Sequence, residues 1–193
     1  SVPKLVSRAK KLHFKALALT DHNVMYGAVR FYNLCHADHI HPIIGLTLDV
    51  SGVIYQNETY SIILLAKNLT GYRNLMKIAT LKRTIGINHQ LIWSQINSYL
   101  TGLYLITPLD QELSQLVQTG QTQSATRYLN DLASRVTKAN LKIGIGVVNN
   151  YKYLQLIKKI SSHNQIKLVA LSPVKYLQAN QVFTLRVLKA IQN

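Results

Sequence analysis

The sequence predicts an α/β fold in which β-α-β units close into a barrel or form an open sheet. Apolar runs typical of buried strands alternate with segments of helical apolar spacing over most of the 193 residues. Hydrophobic residues make up 48% of the chain and charged residues 15%, a balance that suits a compact core. No internal repeat or low-complexity tract marks a boundary, so we expect a single domain over residues 1–193.

The first half of the chain is expected to open with a helix. Apolar residues spaced along one face predict this helix over residues 3–13. A buried strand at 16–20 and a helix at 23–37 follow, and another strand begins at Pro42. Segments 48–55 and 59–66 are expected to pair as a hairpin around a turn at 56–58.

The second half continues the alternation. Pro108 should end its strand because proline has no backbone N–H to donate. The predicted strands are 103–107, 141–148 and 167–171, and the predicted helices are 70–80, 91–99, 111–117, 121–137, 151–162 and 181–191.

The strong positive charge favours a polyanionic partner. Lys and Arg number 22 against 7 Asp and Glu, a net charge of +15, and such an excess is typical of proteins that work near nucleic acid. The basic residues are dispersed, and no arginine-rich arm or aromatic RNA-reading motif is present. A basic surface kept for solubility is the other interpretation. Lys82-Arg83 could contact DNA or a neighbouring domain, or could be solvated.

Cysteine content and hydropathy bear on localisation. Cys35 is the only cysteine, which excludes an intrachain disulfide and fits a cytoplasmic setting. Cys35 lies on an apolar helix face and is predicted to be a packed thiol. No apolar run approaches the ~18 residues that a membrane span needs, so we expect no membrane partner.

The stretch Leu19-Thr20-Asp21-His22 is the strongest candidate for chemistry. It places a carboxylate and an imidazole where a buried strand opens into a loop. Barrel enzymes present their metal ligands at such strand ends.

Residues 14–32 closely resemble the PHP domain (polymerase and histidinol phosphatase), in the version found at the N-terminus of bacterial DNA polymerase III alpha subunits. Segments 41–46, 64–76, 92–93 and 102–107 resemble the same family in the same order. Segment 68–76 favours the polymerase version over the standalone phosphatases.

The resemblance implies a distorted (β/α)7 barrel. Active members of the family bind up to three divalent metals and hydrolyse phosphoesters. Their opening strand carries a His-x-His pair, and this sequence begins at the helix that follows it, so we expect a barrel incomplete at its N-terminus. A palm domain, with the magnesium used for nucleotidyl transfer, is expected beyond residue 193.

The resemblance also predicts that the metal site is degenerate. Asp21 and His22 match ligand positions and are the expected remnant of the site. Further ligand positions hold residues unsuited to metal binding: Thr47, Pro108 with Leu109, Gly146 with Val147, and Pro173 to Lys175. We therefore expect no catalytic residue, no bound metal and no cofactor in this domain.

Each remnant residue also has a structural interpretation. Asp21 is expected to cap the following helix or tie down the loop, in preference to binding a metal. His22 is expected to be a buried, hydrogen-bonded histidine.

Other conspicuous residues have structural interpretations as well. His36, His39 and His41 could form a metal cluster, but we expect them to be structural or exposed to solvent. Trp93 is expected to anchor the core and not to stack on bases. Gly71-Tyr72 should serve helix-start packing, since no glycine-rich phosphate cradle surrounds it.

Three functions compete. The first is a non-catalytic structural and interaction domain of a replicative DNA-directed DNA polymerase (a nucleotidyltransferase), contacting other polymerase domains, with a proofreading subunit as a further candidate partner and DNA nearby. The second is an active metal-dependent phosphoesterase using Zn²⁺ or Mn²⁺, either a proofreading 3′-5′ exonuclease or an enzyme similar to histidinol phosphatase. The third is a generic basic nucleic-acid-binding module.

Overall fold

The described part of the chain contains six strands and seven α-helices. The computed structural model describes residues 1–86, 89–146, 151–174, 176–177 and 182. In chain order the elements are α1 (Val2–Lys11), β1 (Ala16–Leu19), α2 (Ala28–Ala37), β2 (His41–Ser51), β3 (Thr59–Ala66), α3 (Leu69–Ile85), α4 (Trp93–Ile96) continued by a 3-10 turn (Asn97–Tyr99), β4 (Leu103–Pro108), α5 (Glu112–Gln118), α6 (Thr122–Val136), β5 (Leu141–Ile145), α7 (Tyr151–Asn164) and β6 (Lys167–Ala170).

The strands form one mixed sheet in the order β1-β2-β3-β4-β5-β6. The pairs β1–β2, β4–β5 and β5–β6 are parallel, whereas β3 is antiparallel to both of its neighbours. The connection over residues 52–58 is too short for a parallel crossover, so β2 and β3 form a hairpin. The sheet curls into a half-barrel. The predicted α/β fold with an incomplete barrel is confirmed, with one antiparallel strand inside it.

Helices cover one face of the sheet. The main core joins buried side chains of β2 to β5, such as Leu46, Leu64 and Leu105, to those of the helices from α3 onward. A smaller cluster joins α1 and α2 to β1 through residues such as Val6 and Phe31. Side chains alternate along a strand, so the residues next to each of these leucines on its own strand point to the opposite face of the sheet. We call this face the inner face.

Several predicted boundaries are wrong. The helix predicted over 70–80 continues to Ile85, and the helix predicted over 91–99 begins at Trp93 and becomes a 3-10 turn at Asn97. The helix predicted over 23–37 begins only at Ala28, because Asn23 has a positive φ of 60° that a helix cannot contain. The second strand runs unbroken from His41 to Ser51. The hairpin loop therefore starts earlier than the predicted turn at 56–58.

Some predicted elements extend past the described residues. The helix predicted over 181–191 lies outside them apart from residue 182, and the end of the strand predicted over 141–148 does so too. Across the described residues, no helix combines the length and the apolar character needed to cross a membrane.

Candidate functional site

The loop that follows β1 is pinned to β2 at one rim of the sheet. The Thr47 N–H donates to the Asp21 carbonyl at 3.1 Å, and the Asn23 N–H donates to the Thr47 carbonyl at 2.7 Å. The Thr47 hydroxyl donates to the Thr20 carbonyl at 3.0 Å. The carboxyl ends of β1, β2, β4, β5 and β6 share this rim, because β3 alone runs the other way. The rim is therefore where a barrel of this kind would build a site.

Asp49 is the centre of the polar contacts at the rim. Its carboxylate lies 2.9 Å from His22 Nε2 and accepts hydrogen bonds from Asn23 Nδ2 at 2.9 Å and Ser61 Oγ at 2.7 Å. The Asp49 N–H also donates to Asn23 Oδ1 at 3.0 Å. One carboxylate thus links the β1 loop to both strands of the β2–β3 hairpin.

The ionised form of Asp49 is favoured in this environment. Burial acts to raise the pKa of the Asp49 carboxyl, but the hydrogen bonds from Asn23 and Ser61 oppose it. The hydrogen bond from His22, and the positive charge that His22 can carry, act in the same direction as those bonds. Together they lower the pKa of Asp49 below its ordinary value of 3.8.

His22 is exposed, contrary to the prediction that it is buried. Its side chain is 58% exposed, whereas that of Asp49 is 22% exposed. The hydrogen bond that was predicted for it is present. His22 lies beyond the end of β1, where it forms an isolated parallel bridge with Thr47 at the rim of the sheet.

Asp21 does not cap α2 with its side chain. The N-cap residue of α2 is Gly27, and no side chain makes a cap hydrogen bond there. The Asp21 carboxylate lies close by, since a Cβ added to Gly27 would be 3.2 Å from Asp21 Oδ2. The main chain of Asp21 ties the loop to β2 through Thr47, which agrees with the second role expected for this residue.

The other positions expected to hold ligands also follow the sheet rim. Pro108 ends β4, and the buried Leu109 donates its N–H to the Gly144 carbonyl at 2.8 Å. Gly146 follows β5, and Pro173 lies beyond β6. Val147 and Lys175 lie outside the described residues. Within the described part of the chain, no three His, Cys, Asp or Glu side chains are grouped so that they could hold a metal ion.

Two rim residues at expected ligand positions are engaged by neighbouring groups of the chain. His22 Nε2 faces the Asp49 carboxylate, and the Thr47 hydroxyl is bonded to a backbone carbonyl. A centre of several divalent cations needs many carboxylate and imidazole ligands close together. Asp21, His22 and Asp49 are the acidic and histidine residues that the β1 loop and β2 bring to this rim.

Asp49 was not identified from the sequence as a residue of the site. Leu46, Leu48 and Val50 are buried beneath the helices, so the alternation along β2 places Thr47 and Asp49 together on the inner face. This alternation was the signal that could have joined Asp49 to His22.

The histidines and the cysteine of the α2 region behave as predicted. His36, His39 and His41 are exposed, and His36 stacks on Tyr32 with 6.1 Å between the ring centroids. Cys35 is fully buried. Burial, with a smaller contribution from the nearby Asp38, raises the pKa of the Cys35 thiol.

Trp93 and Gly71 also have the predicted structural roles. The Trp93 indole is buried, donates to the Ser51 carbonyl at 2.9 Å and lies beneath the Arg135 guanidinium. Gly71 lies at the start of α3, where the Asn68 side chain accepts its N–H at 3.0 Å. A Cβ at Gly71 would be 2.0 Å from the Gly102 carbonyl oxygen, so Gly71 allows α3 to pack against the residue before β4.

The Lys82-Arg83 pair was expected to contact DNA or a neighbouring domain, or to be solvated, but Lys82 is buried. Lys82 is 3% exposed and donates to the His89 carbonyl at 2.6 Å, because its position on α3 faces the core. Arg83 donates to the Tyr26 hydroxyl at 2.7 Å.

The PHP domain family model matches residues 1–147, and the chain belongs to this family. Over its whole length the chain is similar to the DNA polymerase III subunit alpha of Bacillus subtilis (strain 168), with 34% identity over 197 residues that cover 100% of this chain and 17% of that protein.

A second curated relative is also a DNA polymerase III subunit alpha. The DNA polymerase III subunit alpha of Halalkalibacterium halodurans is 25% identical over 193 residues, which cover 99% of this chain and 17% of that protein. The chain thus spans 17% of the length of each of these two curated relatives. Among solved structures, an amidohydrolase from Chromobacterium violaceum, with bound sulfate and no metal, matches with a TM-score of 0.58 and 10% identity over 89% of this chain and 81% of that chain. That likeness concerns the fold alone.

Proposed function

We propose that this chain is the PHP domain of a bacterial replicative DNA polymerase, with a structural and interaction role and no metal-dependent hydrolysis of its own. Similarity to DNA polymerase III alpha subunits over the whole chain supports the polymerase assignment. In this role the domain would contact other polymerase domains in the cytoplasm, with a proofreading subunit as a further partner and DNA nearby. Nucleotidyl transfer, with its magnesium, would belong to a palm domain outside these residues.

The loss of hydrolysis is supported chiefly by one arrangement at the rim. Thr47 stands where the family resemblance expects a carboxylate, and its hydroxyl is bonded to the Thr20 carbonyl. The nearby carboxylate, Asp49, is engaged by Asn23, Ser61 and His22 instead of being free for a cation. The rim residues therefore satisfy one another without a metal ion.

A hydrolysis assay tests the metal-free role. The chain would be stripped with a chelator, dialysed, and incubated with Mn²⁺ or Zn²⁺ and either bis-p-nitrophenyl phosphate or 3′-labelled single-stranded DNA. We expect the chain, His22→Ala and Asp49→Asn to give the same background rate. His163→Ala is the matched control, because His163 is an exposed histidine on α7, away from the rim strands.

Metal-dependent turnover that disappears in His22→Ala and persists in His163→Ala would overturn the metal-free role and support a phosphoesterase. The polymerase assignment has its own test. A palm domain encoded after Asn193 in the same reading frame would support it, and a stop codon there would contradict it.

A further inference from the structure

Two lysines lie over one tyrosine, and a third adjoins them, at the end of the sheet opposite the Asp21–His22 rim. The Lys67 ammonium lies 5.0 Å from the centre of the Tyr104 ring, and the Lys142 ammonium lies 5.5 Å from it. Lys167 pairs with Lys142 across β5 and β6. Lys67 follows β3, whereas Tyr104, Lys142 and Lys167 stand near the beginnings of β4, β5 and β6. We call these four residues the Tyr104 cluster.

Among the described residues, no carboxylate forms an ion pair with the Tyr104 cluster. The ion pairs in the described part of the chain are Lys10–Asp38, His22–Asp49 and Arg135–Asp131, and none includes a lysine of the cluster. The Lys67 ammonium donates instead to Asn140 Oδ1 at 2.7 Å, and that of Lys142 to backbone carbonyls. The cluster therefore concentrates positive charge that only an external anion would neutralise.

The neighbouring lysines disfavour the charged form of Lys142. Burial is the main cause that lowers the pKa of Lys142, and the positive charges of Lys167 and Lys67 lower it further. Like charges held this close without an acidic group raise the free energy of the folded chain. An anion bound among them would relieve this repulsion.

An apolar depression adjoins the charged groups. Its volume is about 240 Å³, and its lining combines Leu65, Ile106 and Val169 with Tyr104, Lys142 and Lys167. Tyr104 is 37% exposed, so part of the residue is open to a ligand. A flat aromatic surface beside several lysines is the combination that binds single-stranded nucleic acid, because bases stack on the ring while phosphates pair with the ammonium groups.

We propose that the Tyr104 cluster binds single-stranded nucleic acid, with Lys67, Lys142 and Lys167 on consecutive phosphates and an unpaired base on Tyr104. A duplex fits less well because its bases are stacked on one another and cannot reach the ring. The inference does not rest on the proposed polymerase role, since it depends only on the charges and shape of this chain.

Fluorescence anisotropy with a labelled oligothymidylate tests the inference on the 193-residue chain. The triple variant Lys67→Gln, Lys142→Gln, Lys167→Gln removes the cluster's charge. The control Lys4→Gln, Lys158→Gln, Lys159→Gln removes the same charge from exposed lysines on α1 and α7. We expect the first variant to raise Kd roughly tenfold or more at low salt and the control to raise it less than about threefold.

The salt dependence gives a second readout. Each phosphate neutralised on a single strand contributes roughly 0.7 to the slope of log K against log salt, so the cluster variant should lower that slope by roughly 2. Tyr104→Ala should weaken binding, whereas Tyr104→Phe, which keeps the ring, should not. Circular dichroism would establish that each variant is folded.

Three outcomes would overturn the inference. Equal losses in the cluster and control variants would mean that binding follows net charge alone. Equal affinity of Tyr104→Ala and the unmodified chain would exclude stacking. Inorganic polyphosphate that binds as tightly as the oligonucleotide at equal charge would mean that the cluster recognises anions and not nucleic acid.

Discussion

Glu112 should control the stability of the hairpin that carries Asp49. Its side chain is 1% exposed, and it accepts the backbone N–H groups of Val53 at 2.8 Å, Ile54 at 2.6 Å and Tyr55 at 2.9 Å. Glu112→Ala leaves these three donors without their partner. Hydrogen bonds to a charged group are worth about 1.5–3 kcal/mol each, and water can reach this partly exposed loop, so we expect a loss of about 4 kcal/mol.

A graded series of variants separates this mechanism from a general effect of charge. Oε1 accepts from Ile54 and Tyr55, whereas Oε2 accepts from Val53 alone. In Glu112→Gln the remaining oxygen can keep the first two bonds, so the loss should be about 1–2 kcal/mol. The control Asp110→Ala removes an exposed carboxylate one residue before α5's N-cap and should change stability by less than about 0.5 kcal/mol.

Thermal unfolding followed by circular dichroism is the assay. For a chain of this size, 1 kcal/mol corresponds to about 2–4 °C, so Glu112→Ala should lower Tm by about 8–16 °C. A Tm for Glu112→Ala within about 2 °C of that for Asp110→Ala would refute the reasoning, because three unsatisfied backbone donors could not then be costly.

Three further predictions concern other groups. The pKa of Asp49 is lower in the folded chain than its ordinary value of 3.8, so ionised Asp49 contributes its full stabilisation above about pH 3.8. This stabilisation is lost as the pH falls through the lower pKa of the folded chain. Urea unfolding between about pH 2 and 5 should show the loss in the free energy of unfolding, and Asp49→Asn should reduce this pH dependence. Gly71→Ala should lower Tm sharply, because the added Cβ would lie 2.0 Å from the Gly102 carbonyl oxygen. The control Gly146→Ala should leave Tm nearly unchanged, because the nearest atom to its added Cβ lies 4.0 Å away. Equal Tm values for the two variants would contradict this. Cys35 should resist a thiol reagent in the folded chain and react after unfolding, because it is buried and its pKa is raised; rapid labelling of the native chain would count against this.

The positions of most strands and helices along the chain could be predicted because they follow from local apolar spacing. The exceptions lie where one residue overrides the pattern. Residues 23–27 have helical spacing, but Asn23 adopts a positive φ and gives its side chain to Asp49. A contact between residues so far apart in sequence leaves no trace in local periodicity.

The polar rim was only half predictable. Asp21, His22 and Thr47 were identified by resemblance to the family. Asp49 has no counterpart among the expected ligands, so only the two-residue alternation of β2 could have placed it beside Thr47. The burial of Lys82 was not predictable, because a lysine is normally exposed and its acceptor is the backbone carbonyl of His89.

The hydrogen bonds around Asp49 hold the rim together in a way that should respond to pH and chelators differently from a metal centre. A metal centre fastens loops through shared ligands and loosens when a chelator removes the ion. Here the fastening groups are all part of the chain, in the β1 loop and the hairpin. The rigidity of this edge should therefore follow acidity and be indifferent to EDTA or to the supply of trace metals in the cell.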